Sequence, residues 1–203
     1  MSSPLRVVLD VNVFVRIVKG KLERRNGTAV QRIFQALAAG HACGRAVQIV
    51  VSHRMLDTLA EVLQRLSVPQ EEAERMASTV VDVMKAGPEQ LDPHLILGGT
   101  PDLTVKDVED GDVLATAFAA RAHVLVTDNL ADFAPPGCET YETTRIRQSD
   151  GSERRLTCTI LGRPGGFEVV VAHPIDFAHW SDAAFDPAPD HVRKRFGSKP
   201  EQS

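Results

Sequence analysis

The sequence predicts an α/β protein built on a central parallel sheet, and three observations carry that expectation. Short β-branched runs at Leu5 to Leu9, Ala46 to Val51 and His123 to Thr127 are apolar almost throughout, as strands buried on both faces are. Between them lie stretches whose apolar residues recur at helical spacing, so strands and helices alternate along the chain. The third observation is composition. With 43% hydrophobic and 25% charged residues over 203 positions, the chain has globular proportions. Wholesale disorder, a collagen-like structure and a coiled coil are excluded, and the length suits one compact domain.

Each element has its own signal. The first strand ends at Asp10. Thr28 can cap a helix to about Ala39, whose stripe is Ile33, Phe34 and Leu37 and whose stop is Gly40. After the second strand, Ser52 caps a helix to about Leu66 with Leu56, Leu59, Leu63 and Leu66 as its core stripe. Pro69 opens another to about Ala86, closed by Gly87-Pro88. The stretch Glu89 to Lys106 reads as loop with one short strand, Leu95 to Leu97. Asp110 precedes an Ala-rich helix, Val113 to Ala122, and the third strand follows.

Beyond Pro135-Pro136-Gly137 the texture changes. Glu139 to Arg147 and Arg154 to Leu161 alternate polar and apolar residues around Ser149-Asp150-Gly151-Ser152, a β-hairpin signal. Phe167 to Ala172 is one more strand, and the tail from Asp186 is Pro-containing, charged and expected to be disordered. The expected layout is one domain over 1–178, with a core at 5–134 and 167–178 and a hairpin insertion at 138–165, then a partly disordered tail at 179–203.

The net charge of −4 excludes a uniformly basic nucleic-acid coat but allows a local basic patch. Cys43, Cys138 and Cys158 are too few and too scattered for a disulfide framework, and their odd number argues for reduced thiols in a cytosol. No Cys-x-x-Cys occurs, and the seven histidines show no metal-type spacing. The first apolar run, Val7 to Val18, is interrupted by Asp10, Asn12 and Arg16, and no segment approaches the roughly 20 apolar residues a spanning helix needs. The start does not read as a secretory signal either, so a cytoplasmic protein without membrane attachment is expected.

Ligands of open α/β sheets bind at the C-terminal ends of the strands, where strand order reverses. That edge is acidic here. Asp10 and Asn12 follow the first strand, Asp107, Glu109, Asp110 and Asp112 lie before the Ala-rich helix, and Asp128, Asn129 and Asp132 follow the third strand. Carboxylates converging on one crevice repel one another unless protons or a cation neutralise them. Hard oxygens with few histidines nearby favour Mg²⁺ or Mn²⁺ over zinc.

At these residues the chain resembles the PIN domains, which include the VapC-type toxin nucleases. Leu9-Asp10-Val11-Asn12-Val13, Asp110-Gly111-Asp112-Val113-Leu114-Ala115-Thr116-Ala117 and Thr127-Asp128-Asn129-Leu130-Ala131-Asp132-Phe133 match that family's motifs in order, and His173-Pro174-Ile175-Asp176-Phe177 resembles its closing turn. The resemblance implies a PIN-like three-layer α/β/α fold with a mainly parallel sheet, to which this chain adds the C-terminal hairpin. It further implies an endoribonuclease that needs Mg²⁺ or Mn²⁺ and cuts RNA, and a cytoplasmic toxin with a cognate antitoxin and a homodimeric state. Carried over, Asp10 and Asp110 bind metal, Asn12 buttresses Asp10, and Thr127, Asn129 and Asp132 complete the far side.

One position departs from the family pattern. Where the resemblance expects a glutamate in the helix after the second strand, this chain has Thr58, with Asp57 and Glu61 nearby. On a helical wheel Glu61 lies nearer Thr58 in angle and is the longer, so Glu61 is favoured over Asp57 as a substitute metal ligand. The alternative reading is a degenerate PIN-fold module that binds RNA or protein with weak or no nuclease activity. Arg145, Arg147, Arg154 and Arg155 flank the hairpin turn, and Arg154 and Arg155 are expected to track the RNA backbone.

Overall fold

The computed structural model describes residues 3–83, 85, 92–97, 108–147, 151–163 and 166–197. Its first strand, β1 (Leu5–Leu9), turns directly into a helix, α1 (Val11–Leu22). Asp10 is the hinge between them, and its carbonyl accepts the N–H of Val13 at 2.9 Å to start the first turn. No helix is expected over these residues from the sequence. Apolar residues continue from strand into helix on both sides of Asp10, Asn12 and Arg16, so those polar residues read as interruptions of one run and not as a boundary.

Thr28 caps α2 (Ala29–Ala38) as expected, in a capping box with Gln31. A short strand β2 (His41–Ala42) then pairs antiparallel with β3 (Arg45–Ser52). The Ser52 side chain accepts the N–H of Met55 and opens α3 (His53–Arg65). Its buried face is Met55, Leu59, Ala60 and Leu63, while Leu66, expected in the core stripe, is 41% exposed just past the helix end. Helix α4 (Gln70–Asp82) ends earlier than the expected Ala86, and β4 (His94–Ile96) pairs parallel with β3. The expected loop at 98–106 and the tip of the hairpin turn at 148–150 lie outside the described residues.

Helix α5 (Val108–Ala119) starts before Asp110, which therefore sits in the first turn rather than ahead of it. Strand β5 (Val124–Val126), a 3₁₀ turn (Leu130–Phe133), β6 (Glu139–Arg147), β7 (Glu153–Arg163) and β8 (Phe167–Ala172) follow. The eight strands form a single sheet ordered β2-β3-β1-β5-β8-β7-β6, with β4 also on β3. From β4 to β8 the pairing is parallel, and β7 and β6 extend it antiparallel. The hairpin is thus not an appendage: β7 pairs with β8 along five residues and continues the central sheet.

Val7, Leu9, Leu125, Val126, Val170 and Val171 are fully buried or nearly so, which is why these strands are apolar on both faces. Phe133 of the 3₁₀ turn and Phe177 are fully buried in the core. The expectation of disorder from Asp186 fails over 186–197, because α6 (Pro174–Asp182) and α7 (Pro189–Phe196) close the C-terminal part. Trp180, Phe185 and Phe196 pack edge to face or tilted with centroids 5.7 to 6.2 Å apart, and Arg193 of α7 bridges Glu139 of β6 and Glu168 of β8. That hydrophobic cluster gives the charged segment a core to dock on, which composition alone did not reveal. Cys43 and Cys158 are buried thiols whose pKa burial pushes up to about 12. Among the described residues no helix is long and apolar enough to cross a membrane.

Candidate active site

The chain leaves β1 toward β3 on one side of the sheet and later adds β5 on the other. Strand order therefore reverses at β1, and the residue at its C-terminal end is Asp10. Leu9 pairs with Val126, so Asp10 and Thr127 emerge side by side from adjacent parallel strands. Asp10 is 4% exposed. Its Oδ2 accepts the Asn12 amide at 2.6 Å and the Thr127 hydroxyl at 2.7 Å. Thr127 Oγ1 in turn accepts the backbone N–H of Asn129 at 3.0 Å.

Burial pushes the Asp10 carboxyl above its ordinary pKa. The Thr127 hydroxyl and the backbone N–H groups of Asn12 and Val11 pull it part of the way back, and the nearby Asp128 charge adds to the rise. A buried carboxylate of this kind is poised to gain from a cation placed beside it.

Beside Asp10 opens a cleft of about 330 Å³. Helix α1 lends it Asn12 and Arg16, α3 lends Arg54 and Thr58, and the first turns of α5 lend Glu109, Asp110 and Asp112. The sequence-predicted Asp10, Asn12 and Asp110 thus meet around one cavity. Thr127 reaches it through Asp10, and Asn129 one step further through its backbone N–H. Asp132 is bonded to the Asn129 amide in the 3₁₀ turn, and neither residue lines the cleft.

The departure at position 58 is also visible. Thr58 lines the cleft, where the resemblance expects a carboxylate, and Glu61 does not replace it. Glu61 is 64% exposed and pairs with Arg65 at 3.3 Å, an i,i+4 contact on the solvent face of α3. Arg155 likewise points into an exposed cluster, its Nη1 3.2 Å from Glu142, which Arg145 also engages at 3.0 Å. Arg154 is exposed and projects on the other side of β7.

Three side chains at the site escaped the sequence reading. Arg16 lines the cleft and forms an ion pair with Asp128, and Arg54 lines it and pairs with Asp112. His173, buried at the end of β8, accepts the N–H of Ile175 on Nδ1 at 3.2 Å, so its Nε2–H faces Asp128 Oδ1 at 3.3 Å. Burial holds its pKa below the usual histidine value, with the Asp128 charge opposing. The signal for Arg16 and Arg54 was spacing. Each stands four residues from a predicted site position, Asn12 and Thr58, and so shares its helix face.

Whether these residues suit a divalent cation is a question of donor chemistry. Asp10, Asp110 and the neighbouring acids are hard oxygens, and the buried Asn12 Oδ1 has no hydrogen-bond partner among the described residues. Such oxygens suit Mg²⁺ or Mn²⁺. Among the described residues no group of three or more His, Cys, Asp or Glu side chains is close enough to hold an ion by itself. Mg²⁺ asks for less, since it is ordinarily bound by one or two carboxylates together with waters and substrate phosphates.

A second cavity of about 200 Å³, between α1, α2, α3 and α4, has Leu9, Phe14, Phe34, Leu59 and Met76 in its walls and no charged group. The family model described as PIN domain matches residues 6–131, more than half of the chain. No curated protein matches, and no solved structure does.

Proposed function

The chain belongs to the PIN-domain family, a nuclease-type fold, and on that premise we propose that it is a divalent-metal-dependent endoribonuclease. One observation carries the reading: a buried carboxylate at the switch point of the sheet, Asp10, opens with Asp110 onto a cleft large enough for a nucleotide segment. Asp10 and Asp110 would hold the ion. Asn12 and Thr127 fix the Asp10 carboxylate through Oδ2, and Asp10 itself lines the cleft. When bound, Mg²⁺ or Mn²⁺ supplies a more acidic water and a positive charge against the phosphate oxygens. The low exposure of Asp10 keeps bulk water away, so charge placed there acts in a weakly screened setting.

The toxin role, with a cognate antitoxin and a homodimer, belongs to the same reading and rests on the motif resemblance. Thr58 in the cleft favours a second reading, a PIN-fold module with weak or no activity that binds RNA or protein. Rates of RNA cleavage with Mn²⁺ for the wild type, Asp10→Asn and Asp110→Asn separate the two. A wild-type rate well above both variants, and abolished by chelator, is the expected result. Equal background rates for all three would leave only the binding module.

A further inference from the structure

The acidic cleft poses a problem for a polyanionic substrate, and two arginines answer it. Arg16 of α1 and Arg54 of α3 are the cleft's cationic lining residues, and each is held by an aspartate less exposed than itself. The side chain of Arg16 is 54% exposed against 21% for Asp128, and that of Arg54 is 60% exposed against 18% for Asp112. A guanidinium carries five N–H donors in a planar fork, so one engaged edge orients the group and leaves the other edge for an anion. Ion pairs this exposed add little to stability, on the order of 0–1 kcal/mol, and a stabilising role does not account for them.

The anchoring is firmer on the Arg16 side. Asp128 is also faced by His173 Nε2, and Arg154 of the hairpin lies near enough to act on His173 electrostatically. Arg154 thus extends the cationic lining from the cleft toward β7, on the face opposite the Arg145–Glu142–Arg155 cluster, in which two guanidiniums share one carboxylate.

We infer that Arg16 and Arg54 are phosphate-gripping residues, pre-oriented by Asp128 and Asp112, that hold phosphates flanking the one presented to Asp10. This rests on the cleft taking RNA, and it narrows the substrate to a single strand spanning several phosphates, with Arg154 as a further contact.

The test is binding of a fluorescent single-stranded oligoribonucleotide to the full chain by anisotropy, in chelator so that no cleavage occurs, at several salt concentrations. Arg16→Gln and Arg54→Gln should each weaken binding on the order of tenfold and reduce the slope of log K against log salt by about 1. Arg16→Lys and Arg54→Lys should keep the slope and recover part of the affinity, because the charge remains and the fork is lost. Arg65→Gln is the control for charge alone, since it sits on α3 outside the cleft in an exposed pair with Glu61. Equal slopes for the wild type, Arg16→Gln and Arg54→Gln would overturn the inference, as would a slope change of the same size for Arg65→Gln. Arginine-dependent binding without any Mn²⁺-dependent cleavage would uphold the grip and sink the nuclease reading, so the two failures are distinct.

Discussion

The Thr127 hydroxyl donates to Oδ2 of Asp10 at 2.7 Å, across the seam between two parallel strands whose apolar residues set the register. A hydrogen bond to a charged group contributes about 1.5–3 kcal/mol. This one favours the ionised carboxylate against the burial that opposes it. Thr127→Val keeps the shape and removes the donor, so the Asp10 pKa rises further and the acid limb of the pH–rate profile moves to higher pH. Cleavage rates measured from acid to neutral pH check this; an unmoved limb with a uniformly lower rate would instead point to a packing defect.

Position 58 gives a gain-of-function prediction. Thr58 already lines the cleft, half-buried and one helical turn beyond Arg54. Thr58→Glu adds a carboxylate where the donor set is thin, and the Mn²⁺ concentration for half-maximal RNA cleavage should fall roughly tenfold or more, the scale on which ligand-shell changes act. Titration of activity with Mn²⁺ measures it.

A buried acid away from the cleft sets a pH dependence of stability. Asp176 is fully buried in α6, and burial raises its pKa above 3.8, with the nearby Thr143 and Thr144 hydroxyls offsetting part of the rise. The folded state then holds the proton more tightly than the unfolded state. Stability from this group is fully present below the unfolded pKa and is lost as pH rises through the folded one. Asp176→Asn removes that loss, so its Tm should exceed that of the wild type at pH 7. The gap should close only below about pH 3, under the unfolded pKa of roughly 3.9, where the wild-type carboxyl is protonated in both states. Thermal melts across that range provide the measurement.

The C-terminal clasp is separable from the chemistry. Arg193 donates to Glu139 and Glu168 at 2.9 Å and ties α7 to β6 and β8, reaching β8 near its start, the end opposite His173. Arg193→Met should cost on the order of 1 kcal/mol, a Tm drop of about 2–4 °C for a domain of this size. Its Mn²⁺-dependent cleavage rate should match the wild type.

The sequence made the strand ends and most helix starts legible because caps and β-branched runs are local signals: Thr28 and Ser52 cap where expected, and Asp10 closes β1. Helix α1 was hidden because strand and helix share one apolar run through Asp10. The order of the tail was hidden because the packing of Trp180, Phe185 and Phe196 joins residues that look isolated along the chain. At the site, the acidic sheet edge and the family resemblance pointed to Asp10, Asn12, Asp110 and Thr127, of which Asp10, Asn12 and Asp110 line the cleft. The Arg16–Asp128 and Arg54–Asp112 pairs join residues 112 and 58 positions apart, so only the folded chain displays them.

The most direct test of the central claim, that the Asp10 cleft holds a divalent cation, is a crystal soaked in Mn²⁺ and measured for anomalous scattering. The account predicts a peak in the cleft within coordination distance of the Asp10 carboxylate, on the side facing Asp110, and its loss in Asp10→Asn. Absence of a peak there at saturating Mn²⁺ would contradict it.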